Sequence, residues 1–191
     1  MQDTSEGSFV DVTSGLELLA TARSADPDEL RELVGQKATT VADYETRAGL
    51  VATLLSAHTV DDVELIRRLT RFEMALVRDD DDIGCGDVLL ACCWLLFRIG
   101  HIEDSALIWE AKQINFDTAS HIEAVFLIPA GIDATEVFAL RNALDDLAEY
   151  VTTDWLRDEV DTVEGWREGR YFASRPAPDR PVPELAAWML S

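Results

Sequence analysis

Three histidines each stand beside carboxylates: His58 with Asp61 and Asp62, His101 with Glu103 and Asp104, His121 with Glu123. A metal centre needs convergent ligands, such as two histidines one helical turn apart with a carboxylate between them. No segment carries such a pair. His58 and His101 instead precede helix starts, where Asp and Glu complement the positive end of the macrodipole. The pattern predicts helix-terminus chemistry, with no metal and no cofactor.

The run Asp79-Asp80-Asp81-Asp82 invites a calcium-loop reading. Set on the EF-hand template from Asp79, the sixth position falls on Gly84, as required. The fifth then falls on Ile83 and the twelfth on Leu90, where oxygen ligands are needed. The template fails, and the run reads as a solvated acidic loop. Cys85, between Gly84 and Gly86, stands just ahead of a helix, where a thiol can become nucleophilic. Its four aspartate neighbours disfavour the thiolate. A helix from Gly86 to Gly100 is about 22 Å long, which puts His101 at its far end. His121, one hairpin later, returns to the Cys85 side. Cys85 with His121 is therefore the one nucleophile–base pair that the topology allows, and it marks the pocket of an alternative reading as a small enzyme or ligand-binding domain. Lys112 has no acid three or four residues away on either side and reads as packing beside Trp109. A phosphate-cradling glycine loop, a Gly-x-Ser-x-Gly elbow and a zinc-spaced cysteine set are all missing.

The elements that must position these residues are helices. Helical periodicity recurs along the chain, and no stretch alternates like a strand. Thr13 or Ser14 caps a helix through Leu16 and Leu19. Asp26-Pro27 is a cap followed by a first-position proline, opening a helix that carries Leu30, Leu33 and Val34 and stops at Gly35. Tyr44, Ala48, Val51 and Leu55 recur at helical spacing. Thr59 caps a helix with the stripe Leu65, Leu69, Phe72 and Leu76 and a polar reverse face of Glu64, Arg67, Arg68 and Arg71. Val88 to Phe97 is a run of ten apolar residues, too short to span a membrane and apolar on every side, hence a buried helix ended by Gly100. Beyond it the pattern predicts helices over Ile102–Asn115, with Ala106, Trp109 and Ile114 inward, and over His121–Ile128. Another opens at Asp133 with the stripe Val137, Leu140, Leu144 and Leu147, and a further one carries Trp155, Leu156, Val160 and Val163. The expected organisation is one helical domain over residues 1–175, then a Pro-rich connector and a C-terminal amphipathic helix packing on it over 176–191.

A weak internal echo runs through these helices. Val60-Asp61-Asp62, Ile102-Glu103-Asp104 and Ile132-Asp133-Ala134 each follow an apolar helix and open a second one, with Leu65, Leu107 and Val137 in register. Over roughly Val41 to Val151 this resembles the hairpins of HEAT-type α-solenoids. The resemblance is one of architecture. It implies an all-α fold of antiparallel helical hairpins, either α-solenoid-like or an irregular helical bundle.

The 191 residues carry 16 Lys plus Arg against 37 Asp plus Glu, a net charge of −21. Such a chain repels nucleic-acid phosphates and anionic lipid, so nucleic acid and membrane are excluded as partners. Met1 to Val10 has neither a basic nor an apolar stretch of the secretory kind, and three clustered cysteines give no disulfide framework, so the cytoplasm is expected. The acid collects in hairpin turns, at Asp61, Asp62, Glu103, Asp104 and Asp133 on one edge and Asp79, Asp80, Asp81, Asp82, Asp117, Asp145, Asp146 and Asp154 on the other. Of these, Asp61, Asp62, Glu103, Asp104 and Asp79, Asp80, Asp81 and Asp82 are the expected binding surface for another protein, one of basic charge. In size and charge the chain is similar to small acidic proteins that neutralise basic bacterial toxins. That likeness implies a non-enzymatic, immunity-type inhibitor. The sequence assigns no oligomeric state.

Overall fold

A computed structural model describes residues 12–35, 41–79, 86–154, 156 and 180–190. The protein is all-α, and no strand occurs among the described residues. Helices α1 (Val12–Ser24), α2 (Pro27–Leu33) and α3 (Val41–Ala57) lead to a 3-10 turn, Val60–Asp62, and then to α4 (Val63–Asp79) and α5 (Asp87–Ile99). There follow α6 (Asp104–Lys112), α7 (Phe116–His121), a second 3-10 turn (Ala124–Leu127), α8 (Ile132–Arg141) and α9 (Asp145–Val151). A C-terminal helix spans Val182–Met189. Asp80, Asp81, Asp82 and Cys85 lie outside the described residues, as do Trp155, Val160 and Val163.

Helix α5 is the centre of the core. Every side chain from Val88 to Phe97 is buried, because this helix has apolar residues on all faces and neighbours on all of them. It packs against α3, α4, α6, the second 3-10 turn and the C-terminal helix. Phe97 stacks on Phe126 with ring centroids 5.4 Å apart. Gly100 ends α5 in the left-handed region, at φ +89, where a residue with a side chain is strained. At the other end of the chain α1 lies so close to α3 that a Cβ on Gly15 would sit 2.6 Å from Thr53 Oγ1. Asp26 caps α2 as its spacing predicts: Oδ1 accepts from the Asp28 and Glu29 amides at 2.9 Å, and Glu29 Oε2 accepts from the Asp26 amide.

One charge pair lies inside this core. Arg47 of α3 and Glu73 of α4 are both buried, with Arg47 Nε 2.7 Å from Glu73 Oε1. The guanidinium also donates to the Val34 carbonyl at the end of α2 and lies 5.4 and 5.8 Å from the ring centroids of Tyr44 and Phe72. Burial pushes the Glu73 carboxyl up to about 7, against the pull of Arg47.

The second half of the chain departs from the periodicity at three places. Helix α6 stops at Lys112, short of Asn115, and turns Leu107, Ile108 and Ala111 inward, leaving Ala106, Trp109 and Ile114 half-buried. The stop is set by Lys112, Asn115 and Thr118, whose side chains hold the next turn. The stretch expected as one helix over His121–Ile128 is the end of α7 followed by a 3-10 turn. The stripe Val137, Leu140, Leu144 and Leu147 crosses a break at Ala143, whose φ is +55. Leu144 and Leu147 therefore follow a different axis, and α8 buries Ile132, Thr135 and Ala139 while Val137 and Leu140 are exposed.

Two outcomes test this core. Leu95→Ala, at a fully buried site, should cost about 2–5 kcal/mol in chemical denaturation. Glu73 binds its proton more tightly in the folded chain than at its ordinary value of 4.5, so its contribution to stability falls as pH rises from 4.5 towards 7. Denaturation of wild type and Glu73→Gln across that window should show wild type losing ground by up to about 1.4 kcal/mol per pH unit. Parallel curves would mean that the carboxyl stays ionised throughout.

Candidate functional site

A groove of about 1090 Å3 is walled by α4, the α5–α6 turn, α6 and the α8–α9 corner. Its floor carries Leu107, Trp109 and Leu144. Trp109 is held by Tyr150 of α9, at 4.9 Å between ring centroids. Six carboxylates line the groove, from Glu64, Glu103, Asp104, Glu110, Asp145 and Asp146, against two arginines, Arg67 and Arg71, and one histidine, His101.

One of the two α4 arginines that line the groove is already committed. Arg67 Nε donates to Asp104 Oδ1 at 2.6 Å, and its Nη1 lies 3.8 Å from Glu64. Glu110 pairs with Arg78 at 2.8 Å. Among the described residues that leaves Glu103, Asp145 and Asp146 as exposed carboxylates without an ion pair, and Arg71 as the one lining arginine without one. The groove is thus net acidic after its internal pairs are formed.

The expected acidic residues divide sharply. Asp61 and Glu103 are exposed, and Asp79 is exposed at the end of α4. Asp62 is not a surface acid: its side chain is 3% exposed, and Arg23 of α1 donates to both its oxygens at 2.7 and 2.8 Å. It also accepts from the Thr59 amide at 2.7 Å. The Arg23 hydrogen bonds, ahead of the Thr59 amide, hold its carboxyl below the ordinary value. Asp104, 2% exposed, is withdrawn in the same way by Arg67, with Oδ2 left without a hydrogen-bond partner. In the first two hairpin openings of the sequence echo, the second acid is therefore buried against an arginine of an earlier helix. The third has Ala134 at that place.

The histidines do not converge. His58 is half-buried, with Nδ1 2.8 Å from the Leu54 carbonyl, and burial lowers its affinity for a proton. His101 lines the groove, and His121 is exposed, with Nδ1 2.8 Å from the Asp117 carbonyl. Among the described residues no three His, Cys, Asp or Glu side chains cluster as metal ligands, and no helix is long and apolar enough to cross a membrane. The partner of His121 in the alternative reading, Cys85, lies outside the described residues. Cys92 and Cys93 are buried, and burial pushes the Cys92 thiol well up.

Residues around Lys112 carry more than packing. Lys112 is 8% exposed, and its ammonium donates to the carbonyls of Ala119 and Ile122, in the latter case at 2.6 Å. Asn115 and Thr118 cap α7 reciprocally: Oδ1 accepts from the Thr118 amide and Thr118 Oγ1 accepts from the Asn115 amide. This knot ends α6 early. No protein-family model, no curated protein and no solved structure matches this chain.

The division of the acids is testable by stability. Asp62→Ala breaks a charge-assisted pair and should cost about 1.5–3 kcal/mol at neutral pH. Its exposed neighbour sets the control, since Asp61→Ala should change stability by no more than about 0.5 kcal/mol. Because Asp62 titrates below 3.8 when folded, its contribution is present above that pH and disappears on further acidification. Equal effects of the two substitutions in thermal or urea melts would contradict the burial of Asp62.

Proposed function

We propose that this chain is a non-enzymatic binding module for a basic protein, with the groove between α4, α6 and the α8–α9 corner as its docking face. One observation carries the reading: the groove's carboxylates outnumber its cations, and Glu103, Asp145 and Asp146 stay exposed and unspent after the internal pairs are made. Free carboxylates on a net charge of −21 attract a basic surface over a Debye length and favour one docking orientation. An immunity-type inhibitor of a basic toxin fits this chemistry, because such a protein needs fast, electrostatically steered capture rather than a reaction centre. The acidic run Asp79-Asp80-Asp81-Asp82 belongs to the same proposal as a second source of steering.

The partner captured by the wild-type chain serves for the test, in an association-rate series over ionic strength. The variant Glu103→Gln/Asp145→Asn/Asp146→Asn should associate about tenfold more slowly at low salt, with a flatter salt slope. A second variant with Asn at positions 79–82 separates the acidic run from the groove. If both variants keep the wild-type slope, steering by this acidic surface is wrong.

A further inference from the structure

Helices α2 and α4 leave another concavity between them, a cleft of about 310 Å3. That volume is at the small end of the range for ligand pockets. The apolar lining comes from Leu30 and Val34 on one side and Leu69, Phe72 and Leu76 on the other. Two of these residues are held from within the core. The buried Arg47 donates to the Val34 carbonyl and lies 5.8 Å from the Phe72 ring centroid. Walls held in this way need little reorganisation when a ligand enters.

The charge around the cleft runs against that of the chain. The whole sequence has 37 Asp plus Glu against 16 Lys plus Arg, whereas the cleft is lined by Arg31, Arg68 and Arg71 against Asp79 alone. Arg31 is engaged with Asp28 at 3.2 Å, in an exposed pair. Arg68 and Arg71 have no ion pair among the described residues. They stand three residues apart on α4, which makes them neighbours on one helix face. Arg68 is half-buried and is steadied by donating Nη1 to the Ala25 carbonyl at 3.0 Å. Arg71 is exposed and also lines the acidic groove.

These features select among ligands. An apolar body gains from covering the aliphatic and aromatic lining. A guanidinium beside an apolar wall matches a carboxylate, which its planar fork can take with two hydrogen bonds. A neutral chain leaves both arginines unpaired, a cationic chain is repelled by them, and an inorganic anion has no apolar body to bury.

We propose that the cleft between α2 and α4 binds a small amphiphilic carboxylate, with its acyl chain on the apolar lining and its headgroup at Arg68 and Arg71. Carboxylate binding here is independent of whether the acidic groove receives a basic protein.

Octanoate serves as the probe, titrated into the full chain and followed by calorimetry and by methyl NMR shifts. It should saturate at one site and shift the methyls of Leu30, Val34, Leu69 and Leu76. Octanol and octylammonium should bind at least about tenfold more weakly, and acetate should give no saturable signal. Arg71→Gln should weaken octanoate about tenfold, the loss of one charge-assisted contact. Ala75→Phe, at an exposed position lining the cleft, should fill it and abolish binding. Both substituted positions are exposed, so melts of the ligand-free variants should match wild type. Octanoate that does not saturate, or that binds Ala75→Phe as tightly as wild type, overturns the site. Octanol as tight as octanoate, or wild-type affinity in Arg71→Gln, overturns the carboxylate as its ligand.

Discussion

Arg47 and Glu73 put two charges in a core that is otherwise built from Leu, Val, Ala and aromatic rings. A buried pair of this kind adds little to stability over an apolar replacement, yet loss of one partner leaves a bare charge in a low-dielectric interior. The pair therefore makes its neighbours conditional on one another. α2 enters through the Val34 carbonyl, α3 through Arg47 and Tyr44, and α4 through Glu73 and Phe72. Tyr44 extends the set to the C-terminal helix by donating its hydroxyl to the Met189 carbonyl at 2.6 Å. The position of α4 matters beyond the core, because α4 is also the wall of the groove that carries Glu64, Arg67 and Arg71. An apolar contact would tolerate sliding of α4 along α3. An ion pair held between two rings tolerates much less.

What the sequence reveals and what it hides follow one physical line. Local signals were legible: the Asp26-Pro27 cap, the all-apolar character of α5, the stop at Gly100, and the lack of strand alternation. Each depends on residues within one or two helical turns of each other. The early end of α6 depends on a lysine reaching carbonyls seven and ten residues on, and the break at Ala143 on a positive φ that no neighbouring glycine announces. Neither has a periodic signature. Arg47 and Glu73 were missed outright. They stand on different helices, and nothing in their local spacing pairs them.

Charge posed a subtler problem. Asp61 and Asp62 look alike in a sequence, as do Glu103 and Asp104. Successive residues on a helix point about 100° apart, so one of each pair faces water and the other faces the preceding helices. Arg23 and Arg67 select the inward member, and a carboxylate so held is a structural tie rather than a binding group. Counting acids thus overstates the reach of the negative surface at these turns. At the α8–α9 corner the count holds, but the edge does not: Asp145 and Asp146 are both exposed and line the same groove as Glu103, which the hairpin pattern of the sequence sets on the opposite edge.

The hydroxyl of Tyr44 and the carbonyl of Met189 are separated by 145 positions in the chain, and between them lies nearly everything else that has been described. During synthesis α1 and α3 leave the ribosome long before the C-terminal helix that packs on them. Such a nascent chain is exposed to wrong associations for as long as the remaining residues take to appear. The excess of negative charge has a place in that interval as well. Like charges on unfinished copies keep them apart while their apolar helices wait for cover, so the same acids that dress the finished surface also protect its assembly.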